Sequence, residues 1–328
     1  MEIMEFCQKV KRSLAAESEE GIKISVKEIT KNNGIILHSI TISKTGMNIS
    51  PNIYLDGLYD AYESGRTFRS VMNEVRKIYE ESKMESSIDM SFFMDYEKMK
   101  EKVVYKVIGY ERNKELLRQI PHILFLDMAL VFYCYVPKKE LDCATILIYD
   151  SHLKMWGISK ERLYWDAQRN TPHFLPPRIL SMEEVMNDIF SGSIMPVSEG
   201  EEEMPGSGNP DGAKPGCGQQ EGPMPSSRKA EESGKMYVLG NGKKLFGAAA
   251  MFYQGVLEEF SEKQQKSFYV LPSSVHEVIL IPDDGMVNGE ELWKMVCEIN
   301  ATQVEPEEVL TDSVYYFSIK CKKIKKLF

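Results

Sequence analysis

The chain has 328 residues, of which 43% are hydrophobic and 27% charged. Those proportions exclude a fibrous or wholly disordered chain, and the length suits about two globular domains. The 40 basic and 49 acidic residues leave a net charge of -9, which disfavours a phosphate backbone as partner unless a local basic patch overrides it.

The start, Met1-Glu2-Ile3-Met4-Glu5-Phe6, carries early acids and no continuous apolar core, so no secretory signal is expected. The most apolar stretch, Ile123 to Val136, is interrupted by Asp127. It is shorter than the roughly 20 residues that span a bilayer, so no membrane partner is expected. The six cysteines, Cys7, Cys134, Cys143, Cys217, Cys297 and Cys321, include no C-x-x-C pair. They read as small buried residues of a reducing cytoplasm, with neither a zinc site nor another metal centre indicated. A Cys134–Cys143 disulfide across a hairpin is the weaker alternative.

In chain order, residues 2–16 place Ile3, Phe6, Val10 and Leu14 on one helical stripe. Ile22, Ile24 and Val26 then alternate with polar residues, as in a strand. Asn33-Gly34 predicts a type I′ hairpin turn, because both central positions need positive φ. The return strand, about Ile35 to Ser43, sets Ile36, His38, Ile40 and Ile42 on one face. An extended segment, Ile49 to Leu55, precedes a helix with Phe68, Val71, Met72, Val75, Ile78 and Tyr79 on one side.

Asp95 to Ile108 also has helical spacing, with Tyr96, Met99, Val103 and Val107 inward. A short helix at Asn113–Arg118 stops before Pro121. Ile123 to Val136 predicts buried sheet, or a strand joined to a helix, and Ala144 to Tyr149 a second strand. Ser159 caps a helix to about Asn170, and Ser181-Met182-Glu183-Glu184 is a capping box opening another. Further along, strands are expected at Met236–Leu239, Phe268–Leu271, Val275–Ile281 and Val314–Ile319, and helices at Gly247–Gln264 and Glu290–Asn300.

Composition changes sharply near Met195. An acidic run, Glu199 to Glu203 with Gly200 inside it, leads into alternating glycines and prolines with almost no aliphatic residue. Such a segment buries too little apolar surface to offset its ordering entropy. The expected organisation is therefore an N-terminal α+β region over 1–194, a flexible acidic Gly/Pro-rich linker over 195–235, and a C-terminal α+β region over 236–328. The last is small enough to need packing against the first. The fold class expected is α+β, with antiparallel sheets covered by helices. Three stretches share a strand–strand–helix order (from Asn33, Phe132 and Phe268), which invites a reading as repeated units.

The most polar connection is Leu271-Pro272-Ser273-Ser274-Val275-His276-Glu277, with Asp283 just downstream. Serine, imidazole and carboxylate are the ingredients of a nucleophile, a base and an orienting group. No G-x-S-x-G elbow exposes either serine, and Pro-Ser-Ser is ordinary turn chemistry. His276 shares strand parity with Val278 and Leu280, which suits an inward histidine bonded to a carbonyl. His38, His122, His152 and His173 have no partner at ligand spacing. Gly240-Asn241-Gly242-Lys243-Lys244 lacks the spacing of a phosphate loop and reads as a hairpin turn. No cofactor motif is present, and none is expected. The basic run Lys320 to Lys326 could touch nucleic acid or an anionic membrane, but without interleaved aromatics it reads as a solvated tail.

The runs Asn48-Ile49-Ser50-Pro51-Asn52-Ile53-Tyr54-Leu55, Leu271 to Val278, and Asn300-Ala301-Thr302-Gln303-Val304 followed by Asp312-Ser313-Val314-Tyr315 resemble an uncharacterised bacterial family of gut Firmicutes, catalogued as a domain of unknown function. The resemblance spans nearly the whole chain except the linker and implies a cytoplasmic bacterial protein. It transfers no catalytic residue. The expected function is binding or protein interaction without catalysis, with Ser273, Ser274, His276, Glu277, Asp283, Asn300, Thr302 and Gln303 as recognition residues. The alternative is a hydrolase using Ser273 or Ser274 with His276.

Overall fold

The computed structural model describes residues 1–48, 50–83, 91–136, 144–190, 235–272 and 274–328. The expected linker falls almost wholly on residues 191–234, outside the described residues, as do Ile49, Cys143, Cys217 and Ser273.

The first core is local. Helix α1 (Ile3–Glu17) lays Phe6, Cys7, Val10 and Leu14 on the hairpin β1 (Ile22–Thr30) and β2 (Ile36–Lys44). Asn33 at φ 61 and Gly34 at φ 72 supply the left-handed pair the tight turn requires. Strand β3 (Asn52–Tyr54) extends the sheet, and α2 (Asp56–Glu63) and α3 (Phe68–Ser82) close the core with Leu58, Val71, Met72 and Val75.

The second sheet departs from the sequence pattern. Helix α4 (Ser91–Met94) and the single turn α5 (Tyr96–Met99) give way after Lys102 to a strand, β4 (Val103–Gly109), where one continuous helix was expected. Four of these seven residues are β-branched, and β-branched side chains suit a pleat better than a helix. Val103, Tyr105 and Val107 enter the main core, while Val104 and Ile108 fill smaller clusters on the other face. After α6 (Lys114–Leu117), the apolar stretch is a hairpin, β5 (His122–Phe125) and β6 (Met128–Val136), turning at Leu126 (φ 56) and Asp127. Strand β6 pairs with β4 on one edge, and with β5 and then β7 (Ala144–Leu147) along the other. Cys134 is a free, buried thiol. Helices α7 (Asp150–Trp156) and α8 (Lys160–Phe174) follow. The Asn170 amide donates to the Lys100 and Val103 carbonyls and fixes α8 across the start of β4.

The third sheet ignores the composition boundary. Strand β8 (Pro177–Ser181) and helix α9 (Met182–Phe190) precede it, and Ser181 and Glu184 form the expected capping box. Strand β9 (Tyr237–Asn241) follows it and pairs directly with β8. A 3-10 turn at Gly247–Phe252, α10 (Val256–Gln264), β10 (Phe268–Leu271), β11 (Val278–Pro282), α11 (Gly289–Thr302), β12 (Tyr315–Ser318) and β13 (Lys323–Lys326) complete an antiparallel sheet ordered β13-β12-β10-β11-β9-β8. Gly255, at φ 86, breaks what the pattern predicts as one helix from Gly247. The architecture is α+β with three antiparallel sheets among the described residues. The strand–strand–helix order recurs at β2–β3–α2, β6–β7–α7 and β10–β11–α11.

The basic run is not a tail. It includes edge strand β13, paired residue by residue with β12. Lys322 bonds Glu262, Lys325 lies over the Tyr316 ring, and Lys326 bonds Asp127. A neighbouring strand and available acids give these lysines partners that a sequence window cannot show.

Residues from both sides of 191–234 share one core: Tyr105, Leu130, Phe132 and Leu163 meet Leu239, Phe268, Val270, Leu280 and Phe317. Two polar junctions fix the halves. At the first, Asp127 accepts hydrogen bonds from Thr311 (3.1 Å), Ser313 (2.6 Å), Tyr315 (2.5 Å) and Lys326 (3.0 Å). Burial opposes ionisation of this carboxyl. The bonds from Ser313, Tyr315 and Lys326 outweigh it and hold the pKa below the ordinary value. At the second, Asn33 at the β1–β2 tip donates to the Pro306 and Val309 carbonyls, and its backbone N–H to Asn113 Oδ1. Beside it Gly109 packs so closely that an added Cβ would stand 2.4 Å from the Leu310 carbonyl oxygen.

Two outcomes follow. Asp127→Asn should cost about 2–4 kcal/mol at neutral pH, since it weakens a buried acceptor of four donors. A lowered carboxyl pKa contributes stability above the unfolded value of 3.8 that fades as pH falls through the folded value. The gap between wild type and variant in urea melts should therefore shrink below pH 3.8. Separately, Gly109→Ala should destabilise by about 2–4 kcal/mol in the same melts, because the obstacle is backbone and cannot rotate away.

Candidate functional site

A cavity of about 650 Å³ lies where β8, β9 and α9 face the turn between β10 and β11. Leu180, Val185, Ile189 and Val238 form an apolar wall. Arg178, Lys244, Ser274, His276, Glu277 and Glu308 supply the polar wall.

The turn is braced by its own backbone. Ser274 Oγ accepts the His276 backbone N–H at 3.0 Å, and the Ser274 N–H donates to the Glu277 carbonyl at 3.2 Å. The Val275 N–H donates to the Glu308 carbonyl at 2.8 Å, which ties in the loop before β12. On the other side, Asn241 folds the next loop onto its side chain: Nδ2 donates to the Leu245 carbonyl, and Oδ1 accepts the Lys243 and Leu245 N–H groups. This segment is a clasp leading into the 3-10 turn, where a hairpin turn was expected. Gly247 is held against the His276 carbonyl, 2.3 Å from where a Cβ would sit.

His276 does not bond a carbonyl as its parity suggested. Its Nδ1 accepts the Phe246 backbone N–H at 3.2 Å, its ring stacks on Phe246, and its Nε2 lies 3.4 Å from Glu308 Oε1. An accepting Nδ1 leaves the proton of the neutral ring on Nε2, aimed at Glu308. Behind Phe246, the Lys106 ammonium lies 4.3 Å from the ring centroid. Burial chiefly, and then the Lys31 charge, push the Lys106 pKa down to about 8 against the pull of Glu307. At the mouth, the surrounding walls desolvate the Glu277 carboxyl and raise its pKa, opposed by His276 and Lys244.

The remaining expected residues lie elsewhere. Asp283 accepts from the Tyr316 hydroxyl and the Gly285 N–H beyond the far end of β11. Asn300 donates to the Thr311 carbonyl and to Asp312, whose carboxylate pairs with Arg112. Thr302 bonds the Glu298 carbonyl, and Gln303 bonds Thr302, at the exposed end of α11. Ser273 lies outside the described residues. Ser274 touches the His276 backbone, not its ring, so Ser274, His276 and Asp283 do not form one chain of hydrogen bonds. The other histidines are occupied: His38 bonds Asp56, His122 the Ile120 carbonyl, and His152 the Tyr149 N–H. Among the described residues no group of three or more potential ligands could hold a metal. No described helix is long and apolar enough to cross a membrane.

The site also contains what the sequence pattern missed: Arg178, Val185, Ile189, Lys244 and Glu308. The capping box at Ser181 was a usable pointer to α9 but not to its neighbours.

A family model covers residues 3–319. The chain belongs to DUF5688, a family of unknown function. That span takes in the cavity, both junctions and all three sheets. No curated protein and no solved structure matches the chain.

The tautomer is open to measurement. Long-range proton–nitrogen spectra at pH 8 should show His276 protonated at Nε2 with Nδ1 bare. A spectrum with the proton on Nδ1 would contradict the Phe246 bond.

Proposed function

We propose that the protein is a non-enzymatic binding protein of the bacterial cytoplasm that holds a short segment of another protein in this cavity. One observation carries the reading: an apolar wall and charges of both signs converge on one open cavity beside β8, the last strand of its sheet. A peptide offers apolar side chains, both charges and backbone groups at once, which few small metabolites do. Strand edges and grooves lined by apolar and polar walls are recurring peptide sites. The volume lies within the usual range for bound ligands. The cytoplasmic setting is supported by the scattered cysteines, with Cys7 and Cys134 buried and free.

Peptides selected from a random display library on the full chain should share an apolar anchor. Val185→Asp should weaken them at least tenfold, while Trp293→Ala on the distant α11 leaves them unchanged. Failure to enrich any peptide, or binding indifferent to Val185→Asp, would count against the reading.

A further inference from the structure

A second cleft, of about 440 Å³, opens where the second and third sheets diverge, between β5 and β13. Its chemistry differs from that of the peptide cavity. The walls include Ile123, Phe125, Phe252, Phe317 and Ile324, and Phe125 meets Phe252 edge to face at 5.0 Å. These side chains belong to or pack against the main core, whereas Leu180 and Val238 of the first cavity alternate onto the opposite face of their sheet. The cleft is the unfilled mouth of the inter-sheet core.

The rim is polar and uneven in charge. Lys322 is engaged: it bonds Glu262 at 2.8 Å and feels Glu258, the carboxylate on the cleft wall. Lys323, beside it, makes no ion pair among the described residues. The Tyr164 hydroxyl, also on the cleft, has no hydrogen-bond partner among them. A chain with a net charge of -9 thus presents an unneutralised cation and a free hydroxyl donor at the entrance to an apolar slot. Strand β13 adds Lys325 and Lys326 nearby and keeps the local potential positive.

We propose that this cleft binds a single-chain anionic amphiphile of the fatty-carboxylate class. The alkyl chain occupies the slot between Phe125, Phe252, Phe317 and Ile324. The carboxylate meets Lys323, with the Tyr164 hydroxyl as second donor. Apolar burial supplies the affinity, and the cation supplies the preference for an anionic head. The volume suits one chain and not a macromolecular segment. This site is independent of the peptide reading and shares no residue with it.

The test is displacement of a dansyl-labelled fatty acid from the full-length protein by dodecanoate, below its micelle concentration. One-to-one binding is expected. Each methylene removed from dodecanoate towards octanoate should weaken it by up to about fourfold. Lys323→Gln should weaken dodecanoate about fivefold, as loss of one partly exposed ion pair, and leave dodecanol unchanged. Ile324→Trp, or Ile123→Trp on the facing strand, should fill the slot and abolish both, with thermal melts confirming the fold. Absence of binding, affinity that ignores chain length, or an undiminished response in Lys323→Gln would overturn the proposal. So would binding lost in Val185→Asp but kept in the filling variants, because the ligand would then sit in the other cavity.

Discussion

Asp127 is the constraint from which the rest of the architecture follows. It stands at the tip of an otherwise apolar hairpin and receives four donors from the last two strands and the loop before them. A half-buried carboxylate survives only with such company, because loss of hydration must be made up by donors. The hairpin therefore cannot leave the third sheet without stranding a charge and several hydroxyls. The β1–β2 tip adds a second fastening through Asn33 and Asn113, and Gly109 permits the closest backbone approach. The local core of the first sheet is self-sufficient in apolar contacts, yet it is oriented by these polar bonds.

Both cavities are consequences of how the sheets are joined. The third sheet is covered on one face by the main core and on the other by α11, whose Leu292 and Val296 pack on Tyr269, Leu271 and Ile281. Helix α9 covers the β8–β9 end only partly and buries no residue fully, and the first cavity is the space left beneath it. The second lies where β5 and β13 part. In each case secondary structure is complete and side-chain filling is not, which separates a binding surface from a merely loose core.

Much of the fold was legible because local chemistry and tertiary need agree. The α1 stripe, Asn33-Gly34, the α3 pattern and the Ser181–Glu184 box each state an element and its boundary in a few residues. Strand β4 was not legible because Tyr96, Met99, Val103 and Val107 all point inward at spacings a helix would also give. The period changes after Lys102 without any breaker to announce it. The run from Lys320 misled for the opposite reason: its charge suggested solvent, but the Lys323-Ile324-Lys325-Lys326 strand finds its partner in β12. In the site, Ser274, His276 and Glu277 were readable as one polar turn. Arg178, Val185, Lys244 and Glu308 come from distant segments that only the order β11-β9-β8 and the Val275–Glu308 bond bring together. Asp283 and Asn300 were polar neighbours in sequence whose bonds turned out to be structural.

The central claim is that residues on either side of 191–234 form one cooperative unit and that the peptide cavity exists only in that unit. Producing residues 1–190 and 235–328 as separate chains tests it most directly. The account predicts that the shorter piece alone gives no cooperative thermal transition, and that the two together form a one-to-one complex with a single transition involving both. An independently cooperative melt of residues 235–328, unchanged by adding the partner piece, would contradict it.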